Sequence, residues 1–156
     1  MTELLIALLA WIGANSPYET AEIPLPQVIP MTPAEITAEF YSAAQAPPAN
    51  TAPEIDPRIL GLYDMTGDGR IFIIAPELTD GVQPGEDPLE NPIFQERLLH
   101  ELVHHVQHQT GAYDGFLCQA QGEADAYMLG GLYLARRHVS DPLPNRHFWA
   151  RIYSRC

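Results

Sequence analysis

Residues 97–108 read RLLHELVHHVQH, and few stretches constrain a chain more tightly. At about 100° per residue, Leu98, Leu99, Leu102, Val103 and Val106 share one arc of a helical wheel, while His100, Glu101, His104 and His108 share the opposite arc. The apolar arc has to be covered by a second layer. The other arc, carrying imidazoles and a carboxylate, is left for something other than core packing. Asn91 followed by Pro92 offers an N-cap with a first-turn proline, and Gly111 offers a C-terminal stop, so the spacing predicts a helix over 92–110.

His100 and His104 stand four residues apart, one above the other on a helix face, with Glu101 beside the first: the HExxH arrangement. Neutral imidazole nitrogens suit Zn(II), and a carboxylate at that position can take a proton from metal-activated water. Two histidines do not complete a catalytic zinc site, so a third ligand is required. His108 continues the stripe but lies roughly 12 Å along the axis from His100, too far to share one ion. His105 borders the packed face and reads as a structural or exposed residue. The three-histidine pattern HExxHxxGxxH needs glycine at 107 and histidine at 110, where this chain has Gln107 and Thr110. Two carboxylates remain, Asp114 in the loop TGAYDG and Glu123 near the start of the next helix. Phase favours Glu123, which shares a stripe with Ala120, Ala126, Tyr127, Gly130 and Leu134 that would pack closely on another helix. A carboxylate there needs a partner. The plainer alternative is that Glu123 only complements the helix dipole.

With 156 residues and 46% hydrophobic content, residues 1–156 form one expected domain. The net charge of -12, with eight arginines and no lysine, leaves no basic stripe for phosphates, which argues against nucleic acid and anionic membranes as partners. The apolar run 4–12 is too short to span a bilayer, and Glu3 without any nearby cation contradicts a signal peptide. Residues 2–15 therefore read as an amphipathic helix. The proline-rich stretch 23–31 suits an extended edge strand, and Thr32 with Glu35 marks a capping box opening a helix over 33–44. A surface loop is expected over 46–57. Runs 59–64 and 70–75, joined by polar and glycine residues, predict a β-hairpin. Asp64, Thr66, Asp68 and Gly69 also match the start of a calcium loop, but Ala75 stands where the bidentate carboxylate belongs, so the hairpin is preferred. An acidic, turn-rich stretch over 76–91, a helix over 118–138 and a short helix over 145–153 complete the chain. Cys118 and Cys156 are either two free thiols or one disulfide fastening the tail, the latter implying an oxidising compartment.

HELVH at 100–104 and GEADAY at 122–127 resemble the gluzincin group of zinc metallopeptidases, in which a glutamate ligand follows on the next helix. The small size and the preceding hairpin resemble minimal gluzincins and uncharacterised bacterial zincin-type domains. The resemblance implies a zincin-like α+β fold: a small antiparallel or mixed sheet, an active-site helix and a second ligand-bearing helix. It implies Zn(II) on His100, His104 and Glu123, Glu101 as general base, and a peptide or protein substrate aligned along an edge strand, for which 70–75 is the candidate. In thermolysin-like members an aspartate one turn after the glutamate ligand orients a zinc-bound histidine. Here that position holds Tyr127, and Asp125 projects to the other side, so the supporting groups must differ; Tyr113 and Tyr127 are candidates for the oxyanion role. The alternatives are a zinc-binding domain without peptidase activity, and an ordinary helical protein in which HELVH is coincidental. A joined Cys118–Cys156 pair favours a periplasmic or secreted setting, and free thiols a cytoplasmic one.

Overall fold

The computed structural model describes residues 1–43, 54–66 and 69–156. In chain order the elements are α1 (Thr2–Asn15), β1 (Gln27–Met31), α2 (Pro33–Ala43), β2 (Gly61–Asp64), β3 (Arg70–Ile74), α3 (Pro92–Gln109), α4 (Gln121–Arg136) and α5 (Arg146–Tyr153). Short 3₁₀ turns lie at Pro76–Leu78, Pro88–Glu90 and Ala112–Gly115. The class is α+β, with a small mixed sheet.

Helix α3 begins and ends where its capping chemistry places it. The Asn91 side chain accepts from the backbone N–H groups of Ile93 and Phe94 at 2.8 and 3.2 Å, and Gly111 adopts φ 71° just past the end, where a side chain would be strained. Its apolar face, Phe94, Leu98, Leu99, Leu102, Val103 and Val106, is wholly buried against Leu5, Leu8, Leu9 and Ile12 of α1 and Ile71 and Ile73 of β3. Each such side chain contributes on the order of 1.5–3 kcal/mol by leaving water. The covering layer that α3 demands is therefore helix α1 on one side and the sheet on the other.

The strands run in the order β1-β3-β2. β1 pairs with β3 in parallel, Gln27 opposite Arg70 and Met31 opposite Ile74, and β2 pairs with it antiparallel, Gly61 opposite Ile73. Residues 70–75 are thus the central strand and its continuation, not the edge expected for them. The physical reason is visible in RIFII, which is apolar on both faces. Ile71 and Ile73 pack toward the helices, while Phe72 and Ile74 pack with Ile36 and Ile59 on the opposite side. The edges are β1, which carries Pro30, and the four-residue β2.

Several local readings are realised. The Thr32 backbone N–H donates to Glu35 at 2.8 Å and the Glu35 N–H donates to the Thr32 hydroxyl at 3.3 Å, a complete capping box. β2 and β3 form the hairpin, in which the Asp64 carboxylate is taken by the Thr66 N–H and hydroxyl and by the Arg70 guanidinium. Asp68 of the calcium alternative, and residues 46–53 of the expected loop, lie outside the described residues. Cys118 and Cys156 form a disulfide, with Cα atoms 6.0 Å apart, joining the approach to α4 to the end of α5. Helix α4 starts at Gln121 rather than 118, because the disulfide-bearing residues form a turn ahead of it. Arg146 then ties three segments together through Glu96 of α3 at 2.7 Å and Asp141 at 2.6 Å. Among the described residues no helix is long and apolar enough to cross a membrane.

Candidate metal centre

Helices α3 and α4 bring His100, His104 and Glu123 to one point. One ligand atom from each lies within 4.8 Å of the other two, a separation a single cation can bridge. His100 Nε2 is 3.1 Å from one Glu123 carboxylate oxygen and His104 Nε2 is 3.4 Å from the other. Close packing of the two helices makes this convergence feasible. Gly122 and Gly130 of α4 face α3, and a Cβ at Gly122 would lie 2.7 Å from the Gln107 side chain. Glu123 is the most open of the three, with 34% of its side chain accessible against 16% and 9% for the histidines.

The electrostatics agree with a donor set built around positive charge. Burial pushes the Glu123 carboxyl up, but its bonds to His100 and His104 outweigh that and hold it well below the usual carboxylate range. Burial pulls His104 down, while Glu123 and Glu101 beside it raise it to a net upward shift. Glu101 is raised by its own desolvation, against the lowering influence of His100 and His104. It is buried beneath the start of β2, where a Cβ on Gly61 would fall 2.5 Å from Glu101 Oε1; only glycine allows the strand so near.

A second layer of contacts surrounds these four residues. Gln107, wholly buried, places its side-chain oxygen 3.1 Å from His104 Nδ1 and its nitrogen 2.9 Å from the Gly122 carbonyl and 3.2 Å from the Tyr18 hydroxyl. Tyr18 in turn donates to Asp125 at 2.6 Å. The Tyr113 hydroxyl lies 3.1 Å from His104 Nδ1. Tyr127 meets His100 edge-on at 5.0 Å and stacks on Tyr153 at 5.6 Å, so the disulfide-fastened tail forms one wall of the site.

Of the residues expected at the site from sequence, His100, His104 and Glu123 are brought together, and Glu101, next to His100 on α3, lies buried against Gly61 of β2. The rival ligand Asp114 is exposed and stands outside the group. His105 is fully buried and His108 is hydrogen-bonded to Tyr63, so both are structural. Gln107 and Tyr18 carry no local signal in the sequence: Gln107 only marks the departure from the three-histidine pattern, and Tyr18 is brought in from a segment 89 residues away. The remaining hint was Asp125, whose projection away from the metal side has its explanation in Tyr18. No curated protein and no solved structure matches this chain. A family profile does match residues 1–154, and the chain accordingly belongs to the family described as Domain of unknown function (DUF6647).

Proposed function

We propose that this protein is a zinc-dependent metallopeptidase with a zincin-like fold of the gluzincin type. The observation carrying the reading is the convergence of His100, His104 and Glu123 from two helices, with the Glu101 carboxylate one residue from the first ligand. A His₂Glu donor set matches the ligand count and types of catalytic zinc with one position open. Zn(II) held there would supply Lewis acidity, polarising a carbonyl and lowering the pKa of water to about 7. Glu101 would accept the proton released by that water and return it to the leaving amine. Its desolvated surroundings raise its pKa above that of an ordinary carboxylate, which favours taking up that proton. The reading assigns peptide alignment to β2: it is one of the sheet's two edge strands, and of the two it is the one whose first residue lies against Glu101. The Tyr113 hydroxyl lies 3.1 Å from His104 Nδ1 and the Tyr127 ring meets His100 edge-on, and these two remain the candidates for stabilising the oxyanion. The disulfide supports a periplasmic or secreted setting.

Metal analysis of protein purified without added zinc is the first test, with about one equivalent expected. Glu101→Gln should keep the zinc and lose peptide hydrolysis; full activity in that variant would overturn the mechanism. A second reading, a zinc-binding domain without peptidase activity, is favoured by one feature: Glu101 is only 7% exposed beneath β2. Stoichiometric zinc with no cleavage across a broad peptide library would decide for it.

A further inference from the structure

We infer that Gln107 is the positioning residue that fixes the His104 tautomer and so aims His104 Nε2 at the metal; the inference rests on the zinc reading of the site. The direction of each hydrogen bond around Gln107 is forced. The Gly122 carbonyl can only accept, so the amide nitrogen of Gln107, 2.9 Å away, must face it. The second amide proton goes to the Tyr18 oxygen at 3.2 Å, because the Tyr18 hydroxyl proton is committed to the Asp125 carboxylate at 2.6 Å. Both amide protons are then spent, and the Gln107 oxygen is left facing His104 Nδ1 at 3.1 Å. An oxygen with lone pairs at that distance requires Nδ1 to carry the proton. Nε2 is therefore the nitrogen with the free lone pair, and it is the one that points at Glu123.

Burial makes the arrangement stringent. Gln107 is 0% exposed, so water does not compete for its amide. The amide also fits because residue 122 lacks a Cβ, and Gly122 immediately precedes the third ligand on α4. One side chain thereby orients a ligand on α3 and holds the segment that delivers the ligand on α4. The Tyr113 hydroxyl, also 3.1 Å from Nδ1, can share that N–H as a second acceptor, which keeps its own proton available to the site. Asp125 fixes the direction of the Tyr18 hydroxyl, while the group that orients the His104 ring is the Gln107 amide, held by Gly122.

The experiment combines nitrogen NMR of the imidazole rings with zinc titration of the full chain, at a pH where His104 is neutral. The parent should show His104 protonated at Nδ1. Gln107→Leu should lose that preference and bind zinc about 10–100-fold more weakly, the usual effect of removing an orienting partner. Tyr18→Phe, which leaves the Gly122 contact in place, should keep the tautomer and weaken zinc by less than about 5-fold. A merely structural role would lower the melting temperature of Gln107→Leu without moving the tautomer or the zinc affinity, and that result overturns the inference. So does an Nε2-protonated His104 in the parent, which is readable even if Gln107→Leu does not fold. A parent that takes up no zinc yet shows the Gln107-dependent tautomer supports the orienting role and sinks the metal reading instead.

Discussion

Helix α3 carries two pairs of histidines in different employment. His100 and His104 face Glu123 with their Nε2 atoms converging, whereas His105 and His108 both turn Nδ1 toward the Tyr63 hydroxyl, at 3.1 and 2.8 Å. In the second pair His105 Nε2 donates to the Pro24 carbonyl at 2.7 Å, so Nδ1 holds a lone pair and accepts from Tyr63, and His108 Nδ1–H donates to the Tyr63 oxygen. Both nitrogens of His105 are taken by protein and its burial lowers its pKa, whereas His100 and His104 face the Glu123 carboxylate. Imidazole spacing alone does not make a metal site. On the proposed reading, lone pairs left over after the protein's own hydrogen bonds are needed as well, together with an acid to balance the charge.

The sharpest way to break that comparison is Glu123→Ala. Zinc sites hold their ion with about 10–16 kcal/mol, so losing one of three ligands should cost roughly 4 kcal/mol, or about 1,000-fold in Kd. Competition with a chelator measures it, and a loss below about 10-fold would put Glu123 outside the site. His105→Ala should do the opposite. It removes a buried ring and strands the Pro24 carbonyl, so denaturant unfolding should register a loss of about 2–4 kcal/mol, while zinc affinity stays within about 3-fold of the parent. A large fall in zinc affinity there would merge the two clusters into one functional unit.

Zinc at about 100 times its Kd should stabilise the parent by roughly 2.7 kcal/mol. The same addition should leave Glu123→Ala nearly unmoved. Equal stabilisation of both proteins would locate the ion elsewhere. The smallest effect is expected from Tyr63→Phe, about 1 kcal/mol, since each lost hydrogen bond contributes modestly. Its signature is pH dependence. Burial raises the Tyr63 pKa from 10.0 to about 12, so below pH 10 both folded and unfolded states keep the proton and the stabilisation is intact. As pH climbs toward 12 the unfolded chain loses that proton first, and stability falls. Tyr18 and Tyr127, also pushed up to about 12, share this window, so Tyr63→Phe should blunt the alkaline decline and not abolish it. An unchanged alkaline profile would mean that burial does not hold the Tyr63 proton in the folded state.

The candidate ligands were legible because a helix converts sequence spacing into geometry: His100 and His104 share a face whatever surrounds them, and Asn91, Pro92 and Gly111 bound that helix by local capping. The capping box at Thr32 and Glu35 and the hairpin of β2 and β3 were readable for the same reason, since their decisive contacts span few residues. Strand order was not. RIFII is apolar enough to be central, but its pairing with β1, 43 residues earlier, depends on which surface α1 and α3 leave uncovered. The disulfide stood equally open, because two cysteines 38 residues apart are joined only if α4 and α5 bring them together.

What the sequence determined by itself is the pair of imidazoles, the neighbouring carboxylate and the phase that placed Glu123 on the facing side of α4, all short-range consequences of helical periodicity. Tertiary structure alone decided that Tyr18 links Asp125 to Gln107, that Gly61 covers Glu101, and that His105 holds the Pro24 carbonyl and Tyr63. Those outcomes depend on hydrogen bonds between segments distant in the chain, whose directions are set only once packing has removed water as an alternative partner.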